Sequence, residues 1–127
     1  MLSTLLVVVT LGHADAPHVA FTPTDNPAAC AARAEVIGGV LRDAGYRIAV
    51  QSCVETDLRV TPYDHRATAY PHAWRLTVPA AIDGATPAAL QIEPLDSLSD
   101  CTPDEIPDET GAPAIWCAVS AQAPVTD

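Results

Sequence analysis

Residues 26–54, NPAACAARAEVIGGVLRDAGYRIAVQSCV, hold a helix start, a helix stop and a return strand in one continuous run. Asp25 and Asn26 are good N-caps, because a short side-chain oxygen accepts from the unpaired N–H groups of a first helical turn. Pro27 follows at the first helical position, where its missing N–H costs nothing. Ala28, Ala29, Ala31, Ala32 and Ala34 favour helix strongly. Cys30, Ala34, Ile37, Leu41 and Ala44 recur at three- and four-residue spacing and form one apolar stripe. Arg33, Glu35, Arg42 and Asp43 fall mostly off that stripe. Gly45 suits the left-handed position just past a helix C-terminus. Gly38 and Gly39 interrupt the pattern at roughly 1 kcal/mol each against alanine. Close packing of the helix backbone on a sheet explains such a pair.

Tyr46, Ile48 and Val50 then alternate with Arg47, Ala49 and Gln51, the period of a strand. From Cys30 to Ala44 a helix rises about 21 Å. From Tyr46 to Cys53 a strand returns about 23 Å. The return brings Cys53 level with Cys30 and predicts a disulfide between them. Strict alternation puts Cys53 on the Arg47/Gln51 face, whereas Cys30 belongs to the helix stripe. A bulge near Ser52, or the end of the strand there, removes the conflict.

Cys101 and Cys117 bracket an acidic, proline-rich loop, residues 93–113. A bridge between them is worth about 3 kcal/mol in the chain-entropy model and would hold down a loop with little apolar content. Four cysteines allow three pairings, and 30–53 with 101–117 is the expected set. No CxxC occurs, so neither a zinc ribbon nor a thioredoxin-type redox pair is indicated. An even number of cysteines in a small chain suits an oxidising compartment.

Residues 1–16, MLSTLLVVVTLGHADA, bear on the same point. The apolar run is too short to span a bilayer as a helix, which takes about 20 residues. It has the length of a signal-peptide core, with small residues placed for cleavage after Ala14 or Ala16. It lacks a basic n-region, since no Lys or Arg precedes Arg33. The alternative is a buried strand over residues 4–11 that turns into a second strand, residues 18–22.

At 127 residues the chain makes one domain. Hydrophobic residues reach 49%, but much of that is alanine and aromatics are only 5%, so the core is small and aliphatic and covalent staples matter. Net charge is −10, and residues 76–127 hold nine acids and no base. That excludes nucleic acid, which demands cationic groups to displace counterions, and anionic membrane surfaces. A basic protein partner, or solubility alone, fits better. All six basic residues are arginine, which together with the alanine content reads as GC-rich bacterial coding bias.

Further strands are expected over residues 56–61, as a hairpin with the return strand, over residues 73–78, and over residues 114–120. Residues 121–127 read as a loose tail.

The chemistry-bearing residues are few. Asp64, His65 and His72, near Tyr63 and Tyr70, offer two imidazoles and a carboxylate, a set that suits zinc or copper. The seven-residue step between the histidines has no fixed geometry in a loop. His13 and His18 lie near the candidate cleavage sites. Asp96, Asp100, Asp104, Glu105, Asp108 and Glu109 crowd the acidic loop but lack the alternating ligands of an EF-hand. They are the candidate surface for a basic partner. Cys30, near a helix start, would be a reactive thiol only if unpaired. No nucleophile elbow, phosphate loop or arginine–aromatic stripe is present.

The sequence therefore predicts an α+β fold. One main helix, about 27–44, packs on a mainly antiparallel sheet of four to six strands, stapled by disulfides at Cys30, Cys53, Cys101 and Cys117. The core is expected from the helix stripe with Ile48, Val50, Leu58, Val60, Leu76 and Val78. No catalytic residue, cofactor or transmembrane span is indicated, and oligomeric state is not legible. The expected function is a non-enzymatic exported module, periplasmic or secreted. The alternatives are a metal-binding protein or metalloenzyme using residues 64–72, and a cytosolic or virion component that keeps its N-terminal strand.

Overall fold

A computed structural model of the chain describes residues 3–11, 16–62, 69–78, 90–104 and 113–125. Its helix, α1, is Pro27–Asp43. Asn26 caps it, Oδ1 accepting from the Ala29 N–H at 2.8 Å, and Pro27 opens the first turn. Gly45, at φ 91°, closes it. The Gly45 N–H donates to the Arg42 carbonyl and the Tyr46 N–H to the Leu41 carbonyl, both at 3.0 Å, the paired bonds of a Schellman stop.

Six strands form one sheet: β1 (Ser3–Leu11), β2 (His18–Thr24), β3 (Arg47–Thr56), β4 (His72–Val78), β5 (Gln91–Leu95) and β6 (Ala114–Ser120), in the order β3-β1-β2-β6-β4-β5. The sheet is curled and mixed. Four of the five pairings are antiparallel, as a mainly antiparallel sheet requires, but β2 and β6 run parallel, so the sheet is mixed and not purely antiparallel. β2 and β3 both run antiparallel to β1, so β2-α1-β3 is a crossover with β1 inserted between its two strands.

Residues 3–11 lie in the sheet as β1. β1 lies between β2 and β3 and serves both faces of the sheet. Leu5, Val7 and Val9 join Val19, Phe21, Val54, Trp74, Leu76, Leu90 and Ala118 in the main core, inside the curl. Leu6 and Val8 point the other way, to Cys30, Ala34, Ile37 and Leu41 of α1. A strand buried on both faces reads as an unbroken apolar run, which is also how a signal-peptide core reads.

The conflict at Cys53 is resolved as a bulge, but not at Ser52. The register slips between Val9↔Val50 and Thr10↔Ile48, leaving Ala49 as the extra residue. Ile48 therefore faces the helix with Cys53, whereas Val50 packs on the main core. This corrects the expectation that Ile48 and Val50 share a face. The Cys30–Cys53 disulfide closes with Cα atoms 6.1 Å apart.

Three other expectations change. Residues 57–61 do not fold back on β3. They cross to the C-terminal segment, where the Thr61 N–H donates to the Ala123 carbonyl at 2.9 Å and the Val125 N–H to the Arg59 carbonyl at 2.8 Å. Residues 121–125 are accordingly fastened, not loose. Ala44 of the predicted stripe is exposed at the helix cap.

The parallel junction is narrow. β2 and β6 share the register pair His18↔Val119 and the bond from the Val119 N–H to the Pro17 carbonyl, 2.9 Å. Gln122 extends it with its side chain. Oε1 accepts from the Phe21 N–H, and Nε2 donates to the carbonyls of Phe21 and Thr61, each at 2.9 Å. The amide thus pairs with Phe21 as a neighbouring strand's backbone would. Ser120 Oγ supports it, accepting from Trp74 Nε1–H and the Gln122 N–H and donating to the Gln122 carbonyl. Among the described residues no buried side-chain polar atom lacks a partner. The described residues also contain no helix long and apolar enough to cross a membrane.

Candidate functional site

The sheet has two halves, and each has one outer cover fastened by one disulfide. Over β3-β1-β2 the cover is α1, tied by Cys30–Cys53. Over β4-β5-β6 it is the start of the acidic loop, tied by Cys101–Cys117 with Cα atoms 5.9 Å apart. All four cysteines are paired, so Cys30 is not a reactive thiol.

The loop leaves β5 through a single 3₁₀ turn, Leu98–Asp100, whose cap Ser97 accepts from the Ser99 N–H at 3.2 Å. Cys101 is buried against the sheet, opposite Cys117 of β6. Arg75, which pairs with Cys117 in register on β4, clamps the approach. Its Nη1 reaches both carboxylate oxygens of Glu93, at 3.0 and 3.1 Å, and Nη2 donates to the Asp100 carbonyl at 2.9 Å. The loop then runs alongside β6, where Asp104 and Ile115 exchange main-chain hydrogen bonds of 2.9 and 2.8 Å.

This geometry places three of the six predicted acidic residues. Asp96, Asp100 and Asp104 are exposed on the anchored part of the loop. Arg75 engages the main chain of Asp100 and leaves its carboxylate outward. Arg75–Glu93 is the sole ion pair among the described residues. The arrangement is a set of carboxylates on a fastened backbone, able to accept hydrogen bonds from cationic groups. Glu105, Asp108 and Glu109 lie outside the described residues.

The histidine set is described only in part. Asp64 and His65 lie outside the described residues. His72 opens β4, half-buried and opposite Ser120 in register. Tyr70 packs on His18 of β2, ring centroids 4.2 Å apart, and thereby joins the two histidine-bearing stretches that sequence reasoning kept separate. No group of three or more His, Cys, Asp or Glu side chains among the described residues is arranged to hold a metal ion.

Sequence reasoning missed Arg75 and Gln122. Arg75 carried a signal, as the last base before an entirely acidic C-terminal stretch. Gln122 carried none, because a glutamine in a polar tail looks solvated until the chain is folded. No family model, no curated protein and no solved structure matches this chain.

Proposed function

We propose that the chain is a small, non-enzymatic binding or structural module of an exported bacterial protein, acting in the periplasm or outside the cell, whose acidic loop, residues 93–113, meets a basic partner. The Cys101–Cys117 bridge carries this reading. It holds the start of the loop against the sheet with Asp96, Asp100 and Asp104 outward, so their carboxylates are presented from a fastened backbone and less ordering entropy is lost on binding. Two disulfides fit an oxidising compartment. In this reading the mature module keeps residues 3–11, because β1 fills both cores.

Intact mass of the protein from its native host, with thiols alkylated before and after reduction, tests the compartment. The expected result is four thiols that appear only on reduction, in a chain that retains residues 3–11. Four free thiols would sink the exported reading. Loss of residues 1–14 or 1–16 would refute the retained strand. Capture of partners from an envelope extract tests the surface. A complex made through the loop weakens between about 0.05 and 0.5 M salt, as exposed charge pairs do, and one indifferent to salt rules the loop out.

The central position of β1 also favours a second reading, a cytosolic or virion component with an uncleaved N-terminal strand. The redox state of the cysteines in the native host separates the two.

A further inference from the structure

The outward face of α1 is apolar, symmetric in its charges and unexplained by the protomer. Val36 and Val40 are 61% and 63% exposed, the two most exposed large hydrophobic residues among those described. They sit one turn apart on the exposed side of the helix, away from Ala34 and Gly38, which face the sheet. Gly39 lies beside them, and the two glycines now part company. A Cβ on Gly38 would stand 3.1 Å from Arg42 Nη2 and 3.3 Å from Gln51 Nε2, the amide that donates to the Ala34 carbonyl at 2.7 Å. Gly38 is therefore explained by the packing of the helix on β3. A Cβ on Gly39 would meet nothing within 4 Å, and its backbone is ordinary helix. Nothing among the described residues accounts for a residue so unfavourable to helix.

The charges on this face point to what covers it. Arg33 lies about 60° to one side of Val36 and Asp43 about 20° to the other, at roughly 100° per residue. Neither takes part in an ion pair among the described residues. A two-fold axis across an antiparallel pair of helices brings residue i opposite residue j whenever i and j are equally far from the centre. Val36 and Val40 share a centre at position 38, and so do Arg33 and Asp43. One operation therefore sets Val36 against Val40 of a second copy and Arg33 against Asp43 of that copy, each contact occurring twice. That is the self-complementarity an isologous interface demands. Gly39 lies on the flank of this face, about 60° from Val36, where its missing side chain leaves room beside the partner helix.

We infer that α1 is the contact surface of a homodimer, formed by antiparallel packing of the outward face around Val36 and Val40, with reciprocal Arg33–Asp43 pairs beside them. A helix of 17 residues is about 25 Å long, so one helix face covers less than the roughly 800 Å² per partner of a standard interface. The dimer is accordingly weak and forms only at high protein concentration.

Sedimentation equilibrium of the oxidised full-length chain, at concentrations from about 10 μM to 1 mM, tests the inference. The mass should rise from 13.3 kDa towards twice that value. Arg33→Asp or Asp43→Arg alone places like charges opposite each other twice and should weaken association by about tenfold. The double variant Arg33→Asp/Asp43→Arg restores opposite charges and should recover the wild-type constant. Val36→Asp should leave a monomer, with helix content unchanged by circular dichroism because the site is exposed. A chain that stays at 13.3 kDa at 1 mM overturns the inference. So does a dimer indifferent to these substitutions, whose interface is elsewhere, and so does a double variant as impaired as the two single ones combined.

Discussion

Replacing Gln122 with alanine removes three hydrogen bonds at once and leaves their main-chain partners buried. Gln122 is 1% exposed, and its amide serves the N–H and carbonyl of Phe21 and the carbonyl of Thr61. Each lost bond removes about 1 kcal/mol of net stabilisation, and a buried group left without a partner costs about 1–3 kcal/mol. Some of these groups will gain water through the space vacated. A total loss of about 3 kcal/mol is therefore expected, a large share of the roughly 5–15 kcal/mol that holds a domain together. For a chain of this size that lowers the melting temperature by roughly 10 °C. Urea unfolding followed by tryptophan fluorescence is the assay, since Trp74 lies in the same core and bonds to Ser120. The Gln122→Glu variant sharpens the test. A carboxylate there accepts from the Phe21 N–H but faces two carbonyls, so the folded state raises its pKa above the unfolded value of about 4.3. Its stability is highest below that pH and falls as pH rises through the folded pKa. A Gln122→Ala loss below about 1 kcal/mol, or a Gln122→Glu variant no more stable in acid than at neutral pH relative to the parent, would refute the bridging role of this amide.

Three further results are expected. Gly39→Ala, measured at concentrations too low for self-association, should stabilise the fold by up to about 1 kcal/mol through helix propensity. Gly38→Ala should gain less or lose, because its Cβ crowds the Gln51 amide, and urea midpoints of the two variants separate them. Replacing both Cys30 and Cys53 by serine should cost about 3 kcal/mol, the chain-entropy value for the loop of separation 23 that they close; denaturant unfolding without reductant checks it. Asn26→Ala should cost about 1 kcal/mol by leaving the Ala29 N–H uncapped, with hydrogen exchange rising first at the start of α1.

Local signals were legible wherever the physics is local. The start and stop of α1 depend on a cap side chain and a glycine with positive φ, and both belong to residues adjacent in the chain. The Cys30–Cys53 pairing was favoured by segment lengths, because a helix and its return strand have known rises, and Cys101–Cys117 was the pair that remained. The acidic loop itself was plain from charge, since carboxylates without neighbouring bases show in any reading of the chain.

The tertiary structure alone decided what depends on distant partners. The apolar run of residues 3–11 does not announce its neighbours, and its place between β2 and β3 shows only in the assembled sheet. The bulge at Ala49 reverses which residues of β3 face the helix, because the side-chain period of a strand is two and one extra residue inverts it. The parallel contact of β2 with β6 joins segments about 100 residues apart, and no local propensity encodes such a pairing. Gln122 is the extreme case. Its role is fixed by Phe21 and Thr61, which lie 101 and 61 residues away, so a polar side chain near the chain end became a structural member only once the sheet had closed around it.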